Sequence, residues 1–175
     1  MKYEKGIPDL VNCDVDFDFL ALEARYQFDL RLLGKLDVRA EAGTFLNNSE
    51  LDFMDFAHFM GNQTIFTRSA QMLGYSIAHY YQYSTNERYL STYVNYEFRQ
   101  FLFTNINALR LTGVKENINV NMLMTPSLNN YSEVGYSVDN IFSFLRFDIT
   151  AAFVDGSYED FRFQIGVTTD LFRVE

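Results

Sequence analysis

The chain has 175 residues, with 23 Asp and Glu against 14 Lys and Arg, so its formal net charge is −9. Charged residues make up 21% and apolar residues 48%, which excludes an intrinsically disordered chain. The acidic balance, without a basic cluster, argues against a nucleic-acid partner. The single cysteine cannot form an internal disulfide, so cysteine content does not report the redox compartment.

Aromatic residues are frequent, with 18 Phe and 12 Tyr but no Trp, and there are only 2 Pro. Phe and Tyr favour strands, and the frequent Asn favours turns, so the composition predicts an all-β protein. No stretch is apolar enough for a helical membrane span, and no apolar segment follows the first lysines. We therefore expect neither a membrane helix nor a signal peptide within this sequence.

Strict alternation of apolar and polar residues is clearest near the C-terminus. The apolar positions are Leu145, Phe147, Ile149, Ala151 and Phe153, then, after a turn, Phe161, Phe163, Ile165 and Val167. A period of two residues is typical of strands with one apolar face, so this segment predicts a β-hairpin.

The first long alternating segment predicts a second hairpin. Its two strands are joined by a three-residue connection at 32–34, with glycine at the left-handed position. Matching the two faces predicts a register in which Phe28 lies opposite Val38.

Seven strands are predicted in one region that spans residues 1–175. Their ranges are 15–31, 36–46, 88–98, 114–123, 131–139, 144–154 and 161–170. The spacing of apolar residues changes near 99–110 and predicts a short helical turn there. A long loop at 47–87 interrupts the meander, and insertions of this length tend to be functional.

Two architectures explain the alternation. In a soluble sandwich the apolar face forms a core, whereas in a transmembrane barrel it meets lipid and the polar face lines a lumen. Long strands, short turns that alternate with long loops, and tyrosines near strand ends favour the barrel. A soluble all-β binding module with a sandwich core is the alternative.

The chain resembles the C-terminal barrel region of a large Bacteroidota outer-membrane family. The resemblance lies in HFMGNQ at 58–63, YYQYSTNERY at 80–89, NINALRL at 105–111 and FRFQIGV at 161–167. Members of that family carry an N-terminal carboxypeptidase-regulatory-like domain, and their barrel is similar to the surface-antigen, BamA-like barrel superfamily. The resemblance extends from about residue 16 to the end of the chain.

The resemblance implies a place in the bacterial outer membrane. In sixteen-stranded barrels of this type five strands follow the long sixth outer loop, and five predicted strands follow 47–87 here. We therefore expect the last seven strands of such a barrel, without the rest of the protein. The partners implied are outer-membrane lipid, the remaining N-terminal barrel strands, a periplasmic domain and a protein client.

The resemblance also implies that the long loop docks in the lumen. The loop residues implied are His58, Phe59, Gly61, Asn62 and Gln63; the alternative is an ordinary surface loop. The alternation predicts a set of charged side chains that face the lumen. They are Arg25, Arg39, Glu41, Glu97, Arg146, Asp148 and Arg162.

Motifs for catalysis and cofactor binding are missing from the sequence, which has no GxSxG, no GxGxxG and no HExxH. We expect no catalytic residues, no metal and no cofactor. A barrel-embedded enzyme would need a Ser, His and acid cluster that the sequence does not indicate. The function predicted is therefore a non-enzymatic outer-membrane β-barrel region in protein translocation, assembly or surface anchoring.

Overall fold

The structure is a computed structural model, and it describes residues 1–7, 15–62, 64–68, 74–107 and 111–167. These residues form nine strands and one 3-10 turn. The strands are β1 Lys2–Gly6, β2 Asp16–Asp29, β3 Gly34–Glu50, β4 Phe66–Arg68, β5 Arg88–Phe98, β6 Lys115–Thr125, β7 Leu128–Ile141, β8 Leu145–Val154 and β9 Ser157–Val167, and the turn is Phe53–Asp55.

All nine strands belong to one sheet, in the order β1-β2-β3-β5-β6-β7-β8-β9-β4. Eight of them form an antiparallel meander, and the short β4 adds in parallel to the end of β9. Within the described residues the sheet does not close, because β1 and β4 stand at its two ends. The prediction of an all-β antiparallel meander is confirmed.

The strand count exceeds the seven predicted because two short strands have no alternating pattern. β1 has the sequence KYEKG, and β4 has three residues within the long loop. Each is held by pairing with a long neighbour, β2 and β9 respectively. The position of a strand this short is determined by the backbone of its partner, and the local sequence carries no information about that partner.

Strand ends also differ from the prediction. β3 extends to Glu50 and β9 begins at Ser157, so both ladders continue through residues with turn-forming side chains. The predicted helical turn near 99–110 is described only in part. Residues 99–106 form bends and turns, residue 107 is helical with its carbonyl accepting from the Leu111 amide at 3.2 Å, and residues 108–110 lie outside the described part. Residues 168–170 of the last predicted strand also lie outside it.

The register of the first hairpin differs from the prediction by two residues. Val38 pairs with Tyr26 rather than Phe28, because the turn closes earlier. The Leu30 amide donates to the Gly34 carbonyl at 2.9 Å, and Gly34 has a φ of 132°, which favours glycine. A shift of two residues leaves every side chain on its predicted face.

The two faces of the sheet differ sharply in chemistry. One set of side chains, all on the same face, is called the outer band. It consists of the even-numbered residues in 20–28, 36–44, 90–98, 118–124 and 132–138 and the odd-numbered residues in 145–153 and 161–167. The outer band contains no Asp, Glu, Lys or Arg. The opposite, inner face carries most of the charged strand residues, including all seven predicted to face a lumen.

The buried core lies on the inner face, under the long loop. We call residues 51–87 the plug segment. Its Tyr75, Ile77 and Ala78 pack against inner-face residues of four strands. Those residues are Tyr93, Leu123, Tyr131 and Ala152. No second sheet faces the outer band in the described residues, so they contain no sandwich core.

Candidate functional site on the inner face

A single carboxylate holds the centre of the plug segment. Glu133, on the inner face of β7, is 1% exposed. Its oxygens accept hydrogen bonds from the backbone amides of Ser76, Ile77 and Ala78 at 2.6, 2.8 and 3.3 Å. The Tyr131 hydroxyl donates a fourth at 2.7 Å. Four donors on one carboxylate satisfy a buried charge that would otherwise be costly.

Two side chains of β9 bind the plug from the other side. Arg162 Nη1 donates to the carbonyl oxygens of Asn62 and Ser76, each at 2.9 Å. Gln164 Nε2 donates to the carbonyl of Thr64 at 2.9 Å. These bonds go to backbone atoms, so they depend on the path of the plug rather than on its side chains.

Tyr75 is the most deeply inserted residue of the plug, with no exposed surface. Its hydroxyl lies 2.8 Å from Ser91 Oγ and donates to the Met122 carbonyl at 3.0 Å. Its ring contacts those of Tyr93 and Tyr131, with centroids 5.3 and 5.7 Å away. Burial raises the pKa of Tyr75 well above its usual range, and it raises the pKa of Tyr83 to about 12, so both phenols stay neutral.

The predicted loop motif begins at the rim of the plug. His58 is exposed; its Nδ1 lies 2.7 Å from Ser84 Oγ, and its ring contacts Tyr81 edge-on at 4.9 Å. Phe59 is half-buried against Tyr89, with ring centroids 4.9 Å apart. A serine activated for catalysis also needs an oriented base and donors for an oxyanion. The His58 and Ser84 contact alone is a loop hydrogen bond.

The second half of the motif enters the plug. Gly61 forms an isolated parallel β-bridge with Tyr75. The Asn62 amide donates to the Tyr75 carbonyl at 2.8 Å, and the Tyr75 amide donates to the Met60 carbonyl at 2.8 Å. The Asn62 side chain accepts from Thr64. Gln63, the last residue of the motif, lies outside the described residues.

Gly61 is expected to be intolerant of a side chain. A Cβ at this position would lie 2.1 Å from the Ala78 carbonyl oxygen, which is backbone and cannot move aside cheaply. We expect Gly61→Val to destabilise the docked plug by about 3 kcal/mol, the upper end for overpacking, while the strands stay paired. Limited proteolysis of the plug, with circular dichroism of the sheet, measures this. Met60→Val is the matched control, because Met60 is exposed; equal protease resistance of the glycine variant and its parent would contradict the expectation.

The predicted charged residues near β2 and β3 form pairs on the inner face. Arg39 Nε lies 2.8 Å from Glu23, and Arg25 lies 3.4 Å from Asp37. Glu41 accepts a hydrogen bond from the Tyr89 hydroxyl at 2.6 Å. With Phe28 opposite Val38, the predicted register would place Arg25 opposite Glu41. Arg25 instead lies opposite Arg39, and the charges pair diagonally.

A second charged group lies on β7 and β8. Arg146 makes two bonds to Asp148, with Nε 2.8 Å and Nη2 2.7 Å from Oδ1, and lies 3.3 Å from Asp139. Asn117 donates to Asp139 at 2.8 Å. Glu97 sits apart, 3.6 Å from Lys115. The group is a paired network, the arrangement that lets charges lie on a partly enclosed face.

Among the described residues, cavities remain between the plug and the sheet, and two of them bear on the site. One, of about 230 Å³, is lined mainly by polar residues of the inner face, among them Asn95, Asn119, Glu133 and Arg146. Its polarity suits water rather than an apolar ligand. The other, of about 330 Å³, lies beside His58 and Phe59 and has a mixed aromatic and charged lining. Among the described residues no group of three His, Cys, Asp or Glu side chains could hold a metal ion.

Sequence reasoning placed the motif but missed three residues that dock the plug. Glu133 and Gln164 are polar positions in alternating strands, so the alternation puts them on the inner face but does not mark them as partners of the loop. Tyr75 stands in a stretch without a pattern. Arg162 was predicted to face the lumen, and its two bonds to the plug add a role that the pattern did not indicate.

Comparison with known proteins gives one match. The model of the C-terminal domain of DUF5686, a family of unknown function, matches residues 1–138, which span β1 to most of β7. No curated protein and no solved structure matches the chain. In the described residues no helix is both long and apolar enough to cross a membrane. Because the family model covers well over half of the sequence, the chain belongs to the DUF5686 family and contains its C-terminal domain.

Proposed function

We propose that this chain is a non-enzymatic part of an outer-membrane β-barrel, with the outer band against lipid and the plug segment inside the lumen. The observation that carries the proposal is the absence of charge from the outer band. Large members of the band are also exposed, for example Tyr26 at 62% and Phe161 at 53%. Soluble proteins rarely expose apolar surface of this extent without a partner.

The height of the band fits a bilayer. From Leu20 to Phe28 the outward residues of β2 span about 26 Å along the strand at ~3.3 Å per residue. A tilt of ~40° reduces this to about 20 Å, close to the apolar band of about 25 Å on outer-membrane barrels. Outer-face charges lie beyond this height, such as Lys5 and Asp18 at one end and Glu116 at the other. The band thus has the length and the boundaries that a membrane requires.

The inner face supports a lumen. Many of its charged residues pair with one another, and the plug is held by Glu133, Arg162 and Gln164. This arrangement resembles the lumen-docked sixth loop of the BamA-like superfamily, whose members act in protein assembly and translocation. On that resemblance the chain acts in translocation or assembly of a protein client, or anchors a domain at the surface.

Open edges support further strands as partners. Residues 22–29 of β2 and 157–164 of β9 each pair on one side only within the described residues. Exposed strand edges invite pairing and aggregation. We propose that the remaining barrel strands of the protein cover these edges, that a periplasmic domain precedes them, and that the location is the bacterial outer membrane.

Membrane extraction tests the proposal. The chain, expressed with the rest of its protein, should remain in the outer-membrane pellet after an alkaline carbonate wash and should need detergent for release. A soluble binding module would leave the membrane with the wash. A monomer that is stable without detergent and unfolds cooperatively in buffer would contradict the proposal.

A further inference from the structure

The first part of the connection between β5 and β6 folds onto the outer face of the sheet. We call residues 99–107 the rim segment. The Phe101 ring stacks on Phe98 with centroids 4.4 Å apart, and it lies 6.4 Å from the ring of Tyr136. Phe98 and Tyr136 both belong to the outer band. The rim segment therefore folds toward the side that we assign to lipid, and not into the lumen.

Glu116 fastens the rim segment in this position. It is on the outer face of β6, and yet it has no exposed surface. Its carboxylate accepts from the amides of Leu102, Phe103 and Thr104 at 3.3, 3.1 and 2.9 Å, and from the hydroxyls of Thr104 and Tyr136. These donors screen a charge at the border of the apolar band.

The surface that results is apolar. Exposed apolar side chains stand on the rim segment and on the neighbouring turns of the same end of the sheet. They are Leu32, Leu33, Leu102, Phe103, Leu111 and Phe142. Nothing in the described residues covers them, and they continue the outer band at its border.

The charges at this end are mainly basic. Arg31 and Arg99 are exposed in these turns, and Lys35 and Lys115 are exposed at the starts of β3 and β6. The carboxylates near them are the exposed Asp29 and the half-buried Glu97, which lies 3.6 Å from Lys115. The whole chain is acidic, with a net charge of −9, so a basic rim is a local feature. Basic side chains beside exposed aromatic and aliphatic groups match the headgroup layer of a membrane with anionic lipid.

We propose that the rim segment and its neighbouring turns insert into the interfacial layer of a phospholipid bilayer that contains anionic headgroups. The inference rests on the proposed function, since the outer band must lie in the same bilayer. It adds that this end is seated in the headgroup layer and does not project free into water.

Because the chain has no Trp, one introduced Trp is the only indole in it and reports its depth. The chain, together with the rest of its protein and with any Trp there replaced by Phe, is refolded into phosphatidylcholine–phosphatidylglycerol vesicles with lipids brominated at shallow or deep positions. Phe103→Trp tests the rim, Ile149→Trp marks the middle of the outer band, and Met60→Trp on the exposed plug is the control.

We expect blue-shifted emission and strongest quenching by shallow bromines for Phe103→Trp, strongest quenching by deep bromines for Ile149→Trp, and no quenching for Met60→Trp. Quenching at Phe103 should weaken when phosphatidylglycerol is left out. If Ile149→Trp is quenched but Phe103→Trp emits as in water, or is shielded without quenching because protein covers it, the inference is wrong and the proposed function stands. An unquenched Ile149→Trp would overturn both.

Discussion

Replacing Glu133 with alanine should release the plug segment from the sheet. The change removes the acceptor of three backbone amides and one tyrosine hydroxyl, at a side chain that is only 1% exposed. Breaking a buried, hydrogen-bonded charge costs about 3–5 kcal/mol, and we expect about 4 kcal/mol here. Hydrogen exchange at the amides of residues 76–78 measures the loss directly.

Two further variants separate docking from general damage. Glu133→Gln keeps the shape and one acceptor oxygen, so it should restore part of the protection at residues 76–78. Glu97→Ala removes another inner-face carboxylate, but that group is partly exposed and lies 3.6 Å from Lys115. It should cost less than about 1 kcal/mol. Unchanged exchange in Glu133→Ala would show that the plug does not depend on this carboxylate.

The second large effect is expected on the outer band. An arginine at Ile149, in the middle of β8, should oppose insertion by about 2–4 kcal/mol if this position is near the bilayer midplane. In water the same change would cost within about 0.5 kcal/mol, because Ile149 is already 42% exposed. The two environments therefore predict different outcomes for one substitution.

Refolding of the chain, together with the rest of its protein, into vesicles at increasing urea gives the free energy of insertion for this comparison. Leu145→Arg is the matched control, because Leu145 is on the same face of the same strand but at its end. Near the interface the cost should fall to about 0–1 kcal/mol. Equal effects of the two substitutions would argue against a bilayer around the outer band.

The first hairpin shows how far local pattern reaches. Alternation placed Tyr26 and Val38 on one face and Arg25 and Arg39 on the other, and the structure has them so. It did not place them correctly along the strand. Which residues face each other depends on where the turn closes, and the Leu30 to Gly34 bond closes it earlier than the predicted connection at 32–34.

The plug shows which contacts a local pattern cannot predict. The motif that begins at His58 marked the segment, but Glu133 binds amides 55 to 57 residues away, and Arg162 reaches a carbonyl 100 residues away. A backbone amide has no sequence signature, so no pattern could name it as the partner. The same holds for β4, whose three residues pair with β9 only because the plug brings them there.

The sequence by itself determined that the chain is all-β, that its strands have an apolar and a charged face, and that one long loop interrupts them. These properties follow from residue type and a period of two, and both are local. Only the tertiary structure decided the register, the two short strands, and which inner-face groups hold the plug. Those features depend on contacts between segments that are distant in the sequence. Alternation assigns a side chain to a face but not to a partner, and the partner is selected by which arrangement satisfies the backbone and side-chain hydrogen bonds.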